Sequence, residues 1–363
     1  MKYPIHLPPL IGLILLLLVS GLLGGLARLG WPIPLAALAS LHGPVMICGF
    51  LGTLIGLERA AAAAGRKWAY AAPALSAGAS LGLLAGLPLL AGAGLIIAAA
   101  TVQLALLSLK LRQAASLPLL LQILGLGCWL MGTLVWMLGW PFPLVALWWG
   151  GLLLLTIAGG RMDQFLPAGT LFQGPGRGFA LAAATYVVGL ALAMGWPDAG
   201  LRLSALGLGG CALWLLARDP ACRLAGRGRS DGFFGLCLLL GYGWIGVAAV
   251  LLAVGAGALT GFWYDMTLHS LFVGFVFALI LGHLPRILPM LLGRRELFHP
   301  LFYFWLALLQ LSLLLRLAGD TLAAPAPRAW GGLLNVAALL GFLLVVLWQL
   351  GISAKGSDSK RSP

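Results

Sequence analysis

Five histidines stand out in this chain of 363 residues, because 61% of it is hydrophobic and only 9% is charged. Three of them, His42, His269 and His283, fall inside long apolar runs. An ionisable side chain inside a bilayer is costly, so in such runs it marks a functional candidate. His6 and His299 fall at helix starts, where an interfacial role suffices. His42 stands in the stretch SLHGPVMICGF, about a third of the way into its run, and His269 lies at a similar depth in another run that crosses in the same direction. Two neutral imidazoles at one depth on different helices are what a six-coordinate haem iron needs, with apolar walls to hold the macrocycle. The pair also fits two rings bonded to backbone carbonyls, or the lining of a water-filled transport path.

His283 follows His269 by 14 residues, a step of about 21 Å along an ideal helix and about 40° around it. A second haem would need a partner at the matching position of the His42 run, and that position is Gly56. His283 is therefore expected to join Arg286 in a polar cluster at the inner membrane boundary. Glu58 and Arg59 close the His42 run at a comparable depth, and Arg161 and Asp163 lie at the same boundary as an ion pair or small-anion site. Asp265 precedes His269 by one helical turn, where its carboxylate would accept the ring N–H and orient the imidazole. Met46 lies one turn from His42, as a core residue, a haem contact or, with Cys48 nearby, a soft copper ligand. Arg202 and Arg316 sit near outer helix ends, placed to bond haem propionates.

The elements that must position these residues are transmembrane helices. Reading apolar runs between charges and Pro/Gly breaks gives about twelve spans, near 9–28, 35–57, 69–90, 91–109, 116–139, 143–160, 178–196, 199–217, 232–255, 264–292, 299–319 and 329–351. The expectation is an all-α polytopic membrane protein: one domain over 1–352 and a disordered basic cytoplasmic tail over 353–363. The N-terminal LIGLILLLLVSGLLGGLA is read as a retained first helix and not a signal peptide. A net charge of +13 follows from the positive-inside rule and needs no nucleic acid. With both termini inside, every lysine and arginine except Arg28, Arg202, Arg328 and the intramembrane Arg316 falls on the cytoplasmic side. Five scattered cysteines form no CxxC or CxxCH motif, which argues against covalent haem and a zinc ribbon.

The SLHGPVMI stretch resembles the second helix of haem–copper oxidase subunit I, whose (T/S)-x-H-G-x-x-M-I pattern supplies a histidine to the low-spin haem. The His269 segment, LHSLFVGFVFALI, is similar to that family's helix ten, which supplies the opposite ligand. A closer resemblance is to the NnrS family of haem- and copper-associated membrane proteins of the bacterial nitric oxide response. Its H-x-H-E-M-x-x-G-F falls in register with His42, Met46, Gly49 and Phe50, and its A-G-R-x-x-x-x-F is similar to AGGRMDQF here. Its L-H-x-x-x-x-G and G-H-x-x-R are similar to the segments around His269 and His283. Where that family has a second histidine and a glutamate, this chain has Pro44 and Val45.

The resemblance implies a haem–copper-oxidase-subunit-I-like bundle of twelve helices in a bacterial inner membrane. It implies a b-type haem between His42 and His269, with copper as a further candidate, and a role in electron transfer or nitric oxide handling with a small gas ligand or a redox partner. The spans at 143–160 and 178–196 lack the histidines of a binuclear centre, so neither oxygen reduction nor nitric oxide reduction is expected. Two readings from other classes stay open: a secondary transporter, and a non-catalytic membrane subunit of a respiratory complex.

Overall fold

Runs this apolar leave backbone amides no partners in a membrane except one another, and helices satisfy them internally. In the computed structural model, which describes residues 7–34, 36–63, 65–166, 174–256 and 260–358, the chain is helical and contains no strand among those residues. Helix α1 spans Leu7–Arg28. Helix α2 is one rod in three parts: Ala36–Pro44, a π-helical turn Val45–Leu51, and Gly52–Ala61. There follow α3 (Ala71–Leu84), α4 (Leu89–Gln113), α5 (Leu117–Met137), α6 (Phe142–Phe165), α7 (Arg177–Ala193) and α8 (Pro197–Arg218). A short α9 (Ala221–Ala225) leads into α10 (Arg229–Val254). Helix α11 repeats the three-part plan of α2, with Gly261–His269, a π-helical turn Ser270–Phe277, and Ala278–Leu291. The chain closes with α12 (Leu301–Thr321) and α13 (Pro325–Asp358).

Among the described residues, 10 of these rods are long and apolar enough to cross a membrane. The protein is thus a multi-pass helical membrane protein. Two of the rods expected to span are short, α3 with 14 residues and α7 with 17. The turn between α3 and α4 falls earlier than expected, because Gly86 adopts a left-handed conformation (φ +93) and Pro88 opens α4. Helix α13 continues to Asp358, so the expected disordered tail is helical up to that residue, and 359–363 lie outside the described residues.

Neighbouring helices pair as hairpins, α1 with α2, α3 with α4, α5 with α6, α7 with α8 and α12 with α13. Between α7 and α8 the backbones touch, because Gly189, Gly200 and Gly207 leave no side chain in the way. A Cβ on Gly207 would collide with the backbone of Tyr186. Alanine normally favours a helix interior over glycine by about 1 kcal/mol. Here Gly207→Ala is expected to lower the thermal unfolding midpoint of the detergent-solubilised protein, and an unchanged or higher midpoint would show that the hairpin yields.

Candidate cofactor cavity

The two rods that carry a π turn also carry His42 and His269, and both histidines line one cavity of about 500 Å³. His42 lies six residues past the start of α2 and His269 eight past the start of α11, roughly 9 and 12 Å along ideal helices. Phe50 and Phe277, each eight residues further along its rod, also meet at 5.9 Å, so the two rods run in the same direction and the imidazoles share a layer. The walls come mostly from α1, α2, α11 and α13 and are largely apolar, with Leu22, Met46, Phe272 and Leu339 among them.

Each imidazole is held through the same ring nitrogen. His42 Nδ1 lies 2.7 Å from the carbonyl of Gly21, and His269 Nδ1 lies 2.8 Å from the carbonyl of Asp265. A carbonyl can only accept, so Nδ1 carries the proton in both rings and Nε2 keeps its lone pair. This is the tautomer that an imidazole needs in order to ligate a metal through Nε2. Helix α1 makes room for it. A Cβ on Gly25 would come within 2.9 Å of His42 Cε1, and one on Gly21 would strike the Met46 sulfur. Glycine at both positions lets α2 press its histidine face against α1.

The π turns begin next to the histidines. Pro44 has no N–H, and in an α-helix its ring would crowd the carbonyl four residues back. The rod widens instead, and the Gly52 N–H reaches the Ile47 carbonyl five residues earlier. The two π turns meet across the bundle, where the rings of Phe50 and Phe277 stack at 5.9 Å and 9°. Phe277 lines the cavity, and Phe50 stacks against it from outside the lining.

The acidic partner of His269 acts differently from expectation. Its carboxylate, 3.4 Å from Nδ1, is held by the Arg316 guanidinium through bonds of 2.9 to 3.1 Å. The orienting acceptor for the imidazole is the Asp265 main-chain carbonyl. Arg328 adds a longer contact of 3.4 Å to Asp265 and an ion pair of 2.6 Å to Asp320. Two carboxylates and two guanidiniums therefore tie α11, α12 and α13 together beside the cavity. Arg316 lines the cavity, with Nε and Nη2 committed to Asp265. Arg202 does not: it is exposed on α8 and pairs with Asp198 one turn away. Arg28, Tyr264 and Asn335 line the cavity unanticipated.

The sulfur pair expected near His42 is divided. Met46 lines the cavity, whereas the Cys48 thiol accepts a hydrogen bond from Trp129 Nε1 at 3.3 Å and is absent from the cavity wall. Among the described residues no three His, Cys, Asp or Glu side chains gather into a metal-binding group.

At the other end of the bundle, the polar residues expected at one boundary fall into separate groups. Arg59 is buried and, among the described residues, bonds only neutral partners, Gln103 at 2.6 Å and Thr156 at 3.1 Å, while Glu58 is exposed. The second cluster surrounds Phe234, which meets His283 edge-on at 4.8 Å and lies under the Arg286 guanidinium at 4.3 Å. Arg286 pairs with Asp231 and, at 3.6 Å, with Glu296. Arg161 does not pair with Asp163, which is exposed, because residues two apart on a helix point to different faces. It forms a two-pronged pair with Asp219 at 2.9 and 3.0 Å, and Tyr242 donates to the same carboxylate at 2.9 Å. Asp219 was legible as an acid between an apolar helix and a proline, but nothing local named its partner.

None of the curated proteins matches the chain. Residues 7–350 match the family described as a domain of unknown function, DUF8744, and the chain belongs to that family.

Proposed function

We propose that the cavity holds one b-type haem between His42 and His269, and that the protein serves electron transfer or the handling of nitric oxide in a bacterial inner membrane, as the resemblance to the NnrS family implies. The observation that carries this reading is the pair of imidazoles on one cavity, each bonded through Nδ1 to a main-chain carbonyl and so offering Nε2. The cavity volume also lies within the range of cofactor sites, about 300–1,000 Å³. The residues present fit the group: two neutral nitrogen ligands, mostly apolar walls, and a guanidinium at Arg316 on the wall.

When bound, such a haem would supply one-electron chemistry, with His42 and His269 holding it through Nε2. The chain's own part is to hold the two rings. The carbonyls of Gly21 and Asp265 fix their tautomer and rotation, and leucines, Phe272 and Phe277 make the walls apolar. Copper fits less well, since Met46 and Cys48 face different surroundings. The reading takes twelve crossings with both termini in the cytoplasm, in which α3 and α7 cross despite their length.

The test is an absorption spectrum of the purified protein, expressed with an adequate haem supply. Reduced-minus-oxidised bands of a b-type haem are expected, and both His42→Ala and His269→Ala should lose them. A protein free of porphyrin, or bands that survive both substitutions, would overturn the reading in favour of a transporter or a non-catalytic subunit.

A further inference from the structure

A second cavity, of about 490 Å³, opens where α6 and α8 end and α9 begins. Its walls combine Arg218, Arg223 and Arg227 with Phe165, Leu166 and Leu224. The composition results from a choice made at one peptide unit. Asp219 turns into the bundle to meet Arg161, with its side chain fully buried. Arg218, its neighbour, is left on the outside without that carboxylate. Among the described residues neither Arg218 nor Arg223 has an ion pair, and Arg227 reaches only Asp231 at 3.8 Å. That aspartate is shared, because its other oxygen binds Arg286.

Three guanidiniums therefore rim an apolar floor at a bundle end, the level of the lipid headgroups. Membrane-crossing helices terminate here at Phe165 and Arg218, and another starts at Arg229. Guanidinium forks match phosphate oxygens in geometry as well as charge, and basic pockets among helix ends are a recurrent setting for acidic headgroups. The apolar floor suits the ester-linked start of acyl chains and is wasted on a free ion. We propose that this pocket binds the phosphate of an anionic membrane phospholipid, held by Arg218, Arg223 and Arg227. The assignment stands apart from the histidine cavity and does not depend on haem.

Delipidated protein in neutral detergent would be titrated with phosphatidylglycerol, with phosphatidylcholine and with inorganic phosphate, and bound lipid read by native mass spectrometry. Phosphatidylglycerol is expected to bind in preference to phosphatidylcholine. The triple variant R218Q/R223Q/R227Q should weaken it on the order of a hundredfold, from about one headgroup-layer charge contribution per arginine. Equal retention of phosphatidylglycerol by the variant would overturn the proposal, as would equal binding of both lipids. Inorganic phosphate competing at the lipid's own concentration would make the site one for a free anion and overturn it too. Should the triple variant fail to fold, a photoactivatable phosphatidylglycerol on the unaltered protein decides: adducts are expected on Phe165, Leu166 and residues 218–227, and adducts confined elsewhere refute the site.

Discussion

Asp265→Ala is expected to destabilise the protein by about 3–5 kcal/mol, the usual result of removing one partner from a buried ion pair. The Arg316 guanidinium, whose side chain is 9% exposed, would keep its charge in surroundings that solvate it poorly and would lose every bond that Asp265 now accepts. Arg328 would lose its second carboxylate and keep only Asp320. Asp265→Asn separates charge from geometry. It preserves the main-chain carbonyl that holds His269 Nδ1, so the b-type spectrum should persist while the unfolding midpoint in detergent falls. A spectrum lost in the asparagine variant while the protein stays folded would show that the carboxylate itself orients the imidazole. Midpoints unchanged in both variants would show that the ion pair contributes nothing.

The second large effect is expected at the opposite end of the bundle. Asp219→Ala would strand Arg161, whose side chain is 3% exposed, and would leave the Tyr242 hydroxyl without its acceptor. The expected loss is again about 3–5 kcal/mol. Removing both charges should cost less than removing one, because no buried charge then lacks a partner. The double variant R161M/D219L, compared with R161M and D219L alone in thermal or denaturant unfolding, makes this measurable as a coupling energy. Additive losses would mean that the two side chains act independently despite their contact.

The helical, membrane-embedded character of the chain was legible from composition, because a run of about 20 apolar residues has no other way to satisfy its backbone in lipid. His42 and His269 were legible as a pair for a related reason: rare ionisable residues in such runs draw attention, and depth can be counted at 1.5 Å per residue. The partners were not legible. Asp265 was expected to orient His269 through its side chain, but Arg316, 51 positions later in sequence, competes for that carboxylate and offers two N–H donors and a full charge. Arg202 had the same residue type and the same apparent depth as Arg316, yet α8 turns it outward toward Asp198. The π turns were only half legible. Pro44 announced a disturbance in α2, while the turn at Ser270–Phe277 contains no proline to announce it.

Taken alone, the amino-acid sequence determined the solvent this protein is built for, the runs that become helices, and the matching positions of His42 and His269 near the starts of theirs, because each of these follows from local hydrophobicity and helical rise. Only the tertiary structure decided which face each helix turns inward, and with that the partners of every buried charge. Those choices rest on contacts between helices far apart in the chain, such as Gly25 beneath His42 and Asp219 against Arg161. In a low-dielectric interior each charge must find a geometrically matched partner, and helix packing sets which one it reaches.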